Sequence, residues 1–404
     1  MTHRPCRMCG TWAEERPMEQ SSVRKTFKYK LKPTPQPEQA LAFVMRRCRE
    51  LYNAALQERR DAWQNCGTSI TVASQSAQLP EIKEVRPEYR DIHSQVLQDV
   101  LTRLDRAFQA FFRRVKAGEV PGYPRFQGSN RYNSFTYKQF GNGATLDNGF
   151  LVLSKIGRIG VRWSRPLEGT PKTVTISREA DGWYACISCT EVPTKPLPPT
   201  SQETGIDVGL KVFLITADGE IVENPRHYRK AEKQLATAHR RVSRRQKGSN
   251  RRKKAVALLK RKHQKVQRQR RTFQHKTALA LLRQYEVIYL EDLQVRNLLR
   301  NPYLAKSISD AAWYQFRTIL TFKAACAGKR VVTVPAQYTS QDCSGCGERV
   351  LKSLSVRTHV CPCCGLVLDR DENAALNILQ LGRQRSGAGQ APQALTWPSG
   401  ASVA

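Results

Sequence analysis

The sequence has no long apolar run. Nothing in its 404 residues approaches the roughly 20 consecutive apolar residues of a membrane-spanning helix, which argues against a transmembrane chain. The N-terminal stretch MTHRPCRMCGTWAEERPMEQ lacks the hydrophobic core of a secretory signal, so the expectation is an intracellular, cytoplasmic protein. Acidic residues are also scarce: 34 Asp and Glu stand against 67 Lys and Arg, a formal charge of +33. A surface that positive repels itself unless a polyanion neutralises it, so nucleic acid is the expected partner. An anionic membrane surface is the weaker alternative, because nothing reads as an anchor. With 40% hydrophobic residues the chain can still build the cores of two or three domains.

Cysteine, by contrast, is plentiful at twelve. Four fall as Cys343-x-x-Cys346 and Cys361-x-x-Cys364, with fourteen residues between the pairs. Each Cys-x-x-Cys knuckle can turn two sulfurs inward, and the two together complete a tetrahedral Zn²⁺ site. Four thiolates close the coordination sphere, so this zinc is expected to be structural, with Cys363 pointing away. Cys6/Cys9 and Cys186/Cys189 repeat the spacing, but the second pair lies in a strand, where residues i and i+3 face opposite sides. A second zinc shared between them is the less favoured reading. Cys48, Cys66 and Cys326 read as small core residues.

Along the chain, residues 1–22 read as a disordered leader, with Met18 as a candidate later start. VRKTFKYKLKPTPQ (23–36) alternates like a strand and stops at prolines. Leu41, Val44, Leu51 and Ala55 recur at helical spacing from 37 to about 63, and Val96, Val100, Leu104, Phe108 and Phe111 form a second stripe beyond a polar linker at 64–90. Residues 37–119 therefore read as a helical insertion. From 120 to 195, short alternating runs such as NSFTYKQF and GWYACISCTEV predict a compact β module, and Pro-rich 193–200 marks a boundary. Then come a strand–turn–strand meander from Thr204, two long helices within 226–284, a strand at 286–293, a helix near 309–327, a strand at 330–334, the cysteine ribbon (341–366), a helix at 369–381 and a Gly/Ala/Gln-rich tail from 383 that reads as disordered.

Three acids form the chemical core of this reading. Asp207 follows Ile206 on an apolar strand and is flanked by Gly205 and Gly209, which would let a metal or phosphate approach. Glu291 ends the apolar strand VIYLED, and Asp371 opens the helix after the ribbon, with Asp369 as its competitor. Hydrolysis of a phosphodiester with two Mg²⁺ ions needs such clustered carboxylates. Singly, each acid reads as a turn or helix-cap residue. Together, strand-Asp, strand-Glu and helix-Asp form an RNase H-like layout on a basic chain.

GIDVGL, YLEDL, TSQDCSGCG…CPCCG and DRDENAALNI, in that order, resemble the motifs of the TnpB proteins. These are RNA-guided DNA endonucleases encoded by insertion sequences and similar to type V CRISPR effectors. The likeness also takes in FKYKLKPTPQ, RELYNAAL and Gly-Tyr-Pro-Arg-Phe at 122–126. It implies a multidomain α+β fold: an N-terminal, wedge-like β-barrel (23–36 and 120–195) carrying the helical insertion, then an RNase H-like (RuvC) α/β nuclease domain (201–340 and 367–382) interrupted by the zinc ribbon. It implies that Asp207, Glu291 and Asp371 bind Mg²⁺ and cut DNA. It selects Asp371 over Asp369, because the acid of that family stands two residues before the Asn. The expected partners are a guide RNA and double-stranded target DNA, with a co-encoded transposase as a further candidate. The leader with Cys6 and Cys9 departs from the pattern.

Residues 226–276 carry twenty-one Lys and Arg and one acid, Glu232. Such repulsion calls for phosphate counter-charge, and Arg240, Arg241, Arg244, Arg245, Arg251, Arg252, Lys253 and Lys254 around the Gly248–Asn250 break are its candidate contacts. Under the resemblance, the N-terminal part reads a short motif beside the target, with Tyr52, Asn53, Thr136 and Tyr137 as candidate readers; Tyr52 is equally placed for the core. The competing functions are an unguided nuclease or transposase using the same acids, and a non-catalytic nucleic-acid-binding regulator.

Overall fold

A computed structural model describes residues 22–129, 131–353 and 356–387. The proposed leader, Met18, Cys6 and Cys9, and the tail beyond 387 lie outside the described residues. The first unit runs β1 (Ser22–Lys32), α1 (Pro35–Cys66), α2 (Val72–Ala77), α3 (Leu79–Val85), a 3-10 turn (Pro87–Asp91), α4 (Ser94–Lys116), β2 (Ser134–Tyr137), β3 (Ala144–Asp147), β4 (Phe150–Leu153), β5 (Gly157–Arg162), β6 (Thr170–Glu179) and β7 (Gly182–Pro193). Its strands form one antiparallel sheet in the order β2-β6-β7-β1-β5-β4-β3. The edge strands β2 and β3 are joined by residues 138–143 alone, so the sheet curls until its edges nearly meet. The Tyr137 hydroxyl spans that seam to the Ser154 carbonyl at 3.2 Å. This is the barrel-like architecture the alternating runs predict.

Helix α1 starts where Thr34 is extended and prolines occupy the first turn, and it stops at Gly67 in the left-handed conformation (φ 63°). Its buried stripe of Leu41, Val44, Cys48, Leu51 and Ala55 packs on Val96, Val100 and Leu104 of α4 and on the sheet. The expected linker at 64–90 folds instead into α2, α3 and the 3-10 turn. A capping box between Thr71 and Ser74 starts α2, and buried Gln75 accepts a 2.8 Å bond from Arg59 Nε. Cys48 is a core residue as read, its thiol pushed up to about 12 by burial, whereas Cys66 is exposed at the end of α1.

The second unit runs β8 (Glu203–Val208), β9 (Val212–Thr216), β10 (Ile221–Glu223), α5 (His227–Ser243), α6 (Asn250–Gln284), β11 (Val287–Glu291), α7 (Val295–Leu298), α8 (Ala305–Ala311), α9 (Trp313–Ala327), β12 (Arg330–Val334), β13 (Thr358–Val360), β14 (Val367–Asp369) and α10 (Arg370–Gly387). Its five-stranded sheet has the order β10-β9-β8-β11-β12, with β8, β11 and β12 parallel. Ile206 and Leu290 face α6 and α9, in a core with Phe213, Leu281, Ile288 and Leu320. Tyr289 and Val287 face the other way, against Ala375, Ile378 and Leu379 of α10. The Pro-rich boundary is not a free linker: the Lys195 and Leu197 amides bond to the carbonyls of Cys326 and Ala327, both at 3.0 Å. Helix α10 continues to Gly387, past the point where the Gly/Ala/Gln-rich composition predicts the tail to begin.

Candidate active site and zinc ribbon

Because successive strand residues alternate faces, the register of β8 and β11 decides where the acids go. Ile206 pairs with Leu290 in that parallel ladder, so Asp207 and Glu291 emerge next to each other at the C-terminal ends of adjacent strands. Both point to the side opposite Ile206 and Leu290, the side covered by α10. The parallel strand ends are where open α/β sheets place ligands.

Gly205 brings the third acid in. A Cβ at that position would lie 2.1 Å from the Ala375 carbonyl oxygen and 2.5 Å from the Leu379 amide nitrogen. Gly382 is just as tight against Tyr289, whose ring atoms would sit 2.1 Å from an added Cβ. The backbone of α10 therefore lies directly on β8 and β11, with its first turn over Asp207. This corrects the reading of Gly205 as room for a metal or phosphate: the room is taken by the helix. Asp369 settles into a cap, accepting the Asp371 amide at 2.8 Å, and the Asp371 carboxylate points back to the strand ends.

The electrostatics match this convergence. Its low-dielectric surroundings, and then the negative charges of Glu291 and Asp371, hold the Asp207 carboxyl well above the usual carboxylate range. Glu291 is raised as well by burial, against which the hydroxyl of Thr339 donates to its Oε1. Arg357 Nη1 and Arg370 Nη2 lie 3.1 and 2.9 Å from the Asp371 oxygens. The repulsion falls on Asp207, because Asp371 is also neutralised by its two arginines. The three carboxylates are hard oxygen donors of the type that suits Mg²⁺, although their oxygens are not gathered within 4.8 Å as the cysteine sulfurs are.

The ribbon docks beside them. Cys343, Cys346, Cys361 and Cys364 have sulfurs all within 4.8 Å of one another, the one such cluster of metal-ligating side chains among the described residues. The Cys343–Cys364 and Cys346–Cys361 sulfurs are 3.6 and 3.5 Å apart. A tetrahedron with Zn–S bonds of about 2.3 Å has edges of about 3.8 Å, so the cluster fits a structural zinc site. Each knuckle closes the same way. The Gly347 and Gly365 amides reach back to the Cys343 and Cys361 carbonyls at 2.9 and 3.1 Å, with φ of 78° and 72°. Backbone amides of Cys364 and Cys363 draw the Cys361 thiol down to about 7. Cys363 is exposed, as a spectator should be. Buried Cys186 and Cys189 lie within β7.

Two asparagines fasten the ribbon to α10. Asn373 accepts the Ser344 amide at 2.9 Å and donates to the Asp342 carbonyl at 2.9 Å. Asn377 donates to the carbonyls of Thr339 and Asp342 at 2.8 and 2.7 Å. Sequence reasoning gave neither a role, although their i, i+4 spacing next to Asp371 was a usable signal. Thr339 and Arg357 had none: both act from irregular chain that only the fold brings near.

Between the two units runs a groove of about 1250 Å³. Arg46 and Arg49 of α1, Arg178 of β6, and Arg252, Lys253, Lys260 and Arg271 of α6 line it. Helix α6 is tied to the sheet from the same side: Gln264 and Arg268 bond to Asp181 at 2.7 and 3.0 Å. Of the hairpin residues singled out, Arg240, Arg241, Arg244, Arg251, Lys253 and Lys254 are exposed. Arg245 is half-buried, and Arg252 also closes the hairpin turn, bonding the carbonyls of Val242 and Arg245 at 2.8 and 2.9 Å.

Residues 187–302 match the family model for IS605 OrfB proteins, described as "Probable transposase", and 313–378 match the Cas12f1-like TNB domain. Residues 18–68 match a helix-turn-helix domain model of the same proteins. Here the described part of that segment is β1 and the single long helix α1. A Streptomyces pristinaespiralis protein named "Putative RNA-guided DNA endonuclease" is 38% identical over 91% of both chains. The chain belongs to the TnpB family. A second family member, from Escherichia coli (strain K12) and named "Putative RNA-guided DNA endonuclease InsQ", is 30% identical over 89% of this chain and 92% of its own. The fold is that of the protein in a solved Cas12f1–sgRNA–target DNA complex, which is 13% identical with a TM-score of 0.52 over 88% of this chain and 98% of that one.

In this TnpB-family chain the four residues proposed as motif readers are occupied by internal contacts. Tyr52 is buried against Tyr132, their ring centroids 6.1 Å apart. Asn53 spends its amide on the Gln127 backbone, accepting at 2.8 Å and donating at 3.1 Å. The Thr136 hydroxyl takes a 2.6 Å bond from Arg103, and Tyr137 is 1% exposed. Helical and strand spacing alone did not separate inward from outward faces at these positions.

Proposed function

We propose that the protein is an RNA-guided DNA endonuclease that cuts DNA next to a short target-adjacent motif by Mg²⁺-dependent phosphodiester hydrolysis. The observation that carries the catalytic part is the convergence of Asp207, Glu291 and Asp371 at parallel strand ends under the first turn of α10. Bound Mg²⁺ ions would supply an activated water and charge stabilisation at the leaving oxygen. Asp207 and Glu291 would hold them from the sheet and Asp371 from the helix. Thr339 fixes the Glu291 carboxylate through its hydroxyl, leaving the second oxygen for a ligand. Arg357 and Arg370 orient Asp371 through charge-assisted hydrogen bonds.

The basic groove supports nucleic-acid binding through phosphates, with sequence specificity left to guide–target pairing. The family membership and the names of its relatives support guidance by RNA.

The test is to purify the protein with its bound RNA, sequence that RNA, and assay plasmid cleavage with Mg²⁺. A discrete RNA, cleavage directed by its guide sequence, and loss of cleavage in Asp207→Ala are the expected results. Cleavage independent of any RNA would overturn guidance. Equal cleavage by Asp207→Ala would overturn the active site.

A further inference from the structure

Gly-Tyr-Pro-Arg-Phe at 122–126 has no part in the catalytic site, yet the fold builds a second cavity from it. A pocket of about 460 Å³ opens between the C-terminal end of α1 and the segment linking α4 to β2. Arg60 and Trp63 form one wall, and Tyr123, Arg125 and Phe126 the other. None of its lining residues is acidic.

Tyr123 is packed from behind, and all three rings are bare in front. Tyr123 stands edge-on to Phe108 and Phe111, with centroids 5.6 and 5.4 Å away. The Asn53 amide holds the chain at Gln127 from both sides. Yet Trp63 is 65% exposed, Tyr123 45% and Phe126 44%. Single exposed apolar residues are ordinary; three converging on one cavity, with Phe112 also more than half exposed beside Phe111, call for an occupant.

The charge decides which one. Arg60 and Arg125 sit among the rings, and Arg113, Arg114 and Lys116 follow on the last turn of α4. A second copy of the same basic face would be repelled. A π-faced ligand that carries negative charge would be held twice, by ring stacking and by guanidinium contact with its phosphate.

We infer that this pocket receives an unpaired nucleobase of a single-stranded nucleic acid, stacked on Trp63 and Phe126, with its phosphate at Arg60 and Arg125. The inference rests on the reading of the protein as nucleic-acid-binding, and goes beyond it by assigning a site that shares no residue with the carboxylates or with the lining of the basic groove. An unpaired segment of the RNA and the displaced strand of the DNA share this chemistry.

The experiment measures binding of fluorescent RNA and DNA oligonucleotides of one sequence, single-stranded and fully paired, to the full-length protein, Trp63→Ala, Trp63→Phe and Arg60→Gln. The expected result is a loss of about tenfold in single-strand affinity for Trp63→Ala, with recovery in Trp63→Phe and no change for the duplexes. Arg60→Gln should lower affinity and flatten the salt dependence by about one phosphate. A larger loss for RNA assigns the base to the RNA strand, and a larger loss for DNA to the displaced strand; either sustains the pocket. Equal losses for single strands and duplexes overturn it. So does unchanged binding with a melting temperature equal to that of the parent, or a Trp63→Ala effect confined to self-association. Cleavage by Asp207→Ala reads the catalytic proposal separately, so the two fail independently.

Discussion

Gly205 lies flat against the backbone of α10, so that a Cβ on it would stand 2.1 Å from the Ala375 carbonyl oxygen. Backbone cannot yield as a flexible side chain can, so Gly205→Ala should push the helix off β8. Overpacking of this kind costs about 1–3 kcal/mol, and here it also moves Asp371 away from Asp207. We expect a lower melting temperature together with a loss of cleavage out of proportion to it. Retained cleavage at a temperature where the variant is fully folded would show that helix position is not limiting.

Asp369 and Asp371, two residues apart, should separate cleanly by mutation. Asp369→Ala removes a helix cap and should cost about 1 kcal/mol of stability while keeping most cleavage. Asp371→Ala should lower the cleavage rate by about a thousandfold or more, the scale of several kcal/mol of lost metal-borne stabilisation, and leave RNA binding intact. Single-turnover rates and melting curves on both variants decide the assignment.

The raised carboxyls of Asp207 and Glu291 fix the sign of a pH effect. A carboxyl whose folded pKa is elevated holds its proton more tightly in the native state, so metal-free stability falls as pH rises from the ordinary carboxylate range through the elevated value. Mg²⁺ binds the deprotonated form, so its stabilising effect should grow over the same interval, and cleavage should rise with it. Melting curves against pH, with EDTA and with Mg²⁺, test this. A metal-free melting temperature that climbs across that window would contradict the arrangement.

Removing zinc should uncouple the ribbon from α10 rather than unfold the whole chain. Asn373 and Asn377 bind backbone of residues 339–344, which the four thiolates hold in shape. Chelation of Zn²⁺, or Cys346→Ser, is therefore expected to abolish cleavage while the N-terminal sheet keeps its melting transition. Proteolysis near 345–366 in the chelated protein would report the loosened ribbon.

Replacing Arg49, Lys253 and Lys260 of the groove with Gln should weaken nucleic-acid binding by a similar factor for all sequences. It should also reduce the dependence of log K on log salt by about one unit for each phosphate no longer neutralised. Weakening restricted to one sequence would mean that these residues read bases instead.

The sequence by itself determined the charge, the candidate acids and most of the elements. Apolar strands ending in acids, paired Cys-x-x-Cys knuckles and a long basic hairpin are local patterns, and local patterns survive translation into structure. The four-cysteine cluster was legible because thiol spacing is a property of the chain alone. Tertiary structure decided everything that depends on which face of an element turns inward. The β8–β11 register placed Asp207 beside Glu291, and close helix–sheet packing at Gly205 carried Asp371 over them. The same facing choice buried Tyr52 and Tyr137, both of which had read as candidate base readers, and left Trp63 and Phe126 exposed. Periodicity states that a residue lies on one side of a helix or strand; only the packed neighbour determines whether that side meets protein, solvent or ligand.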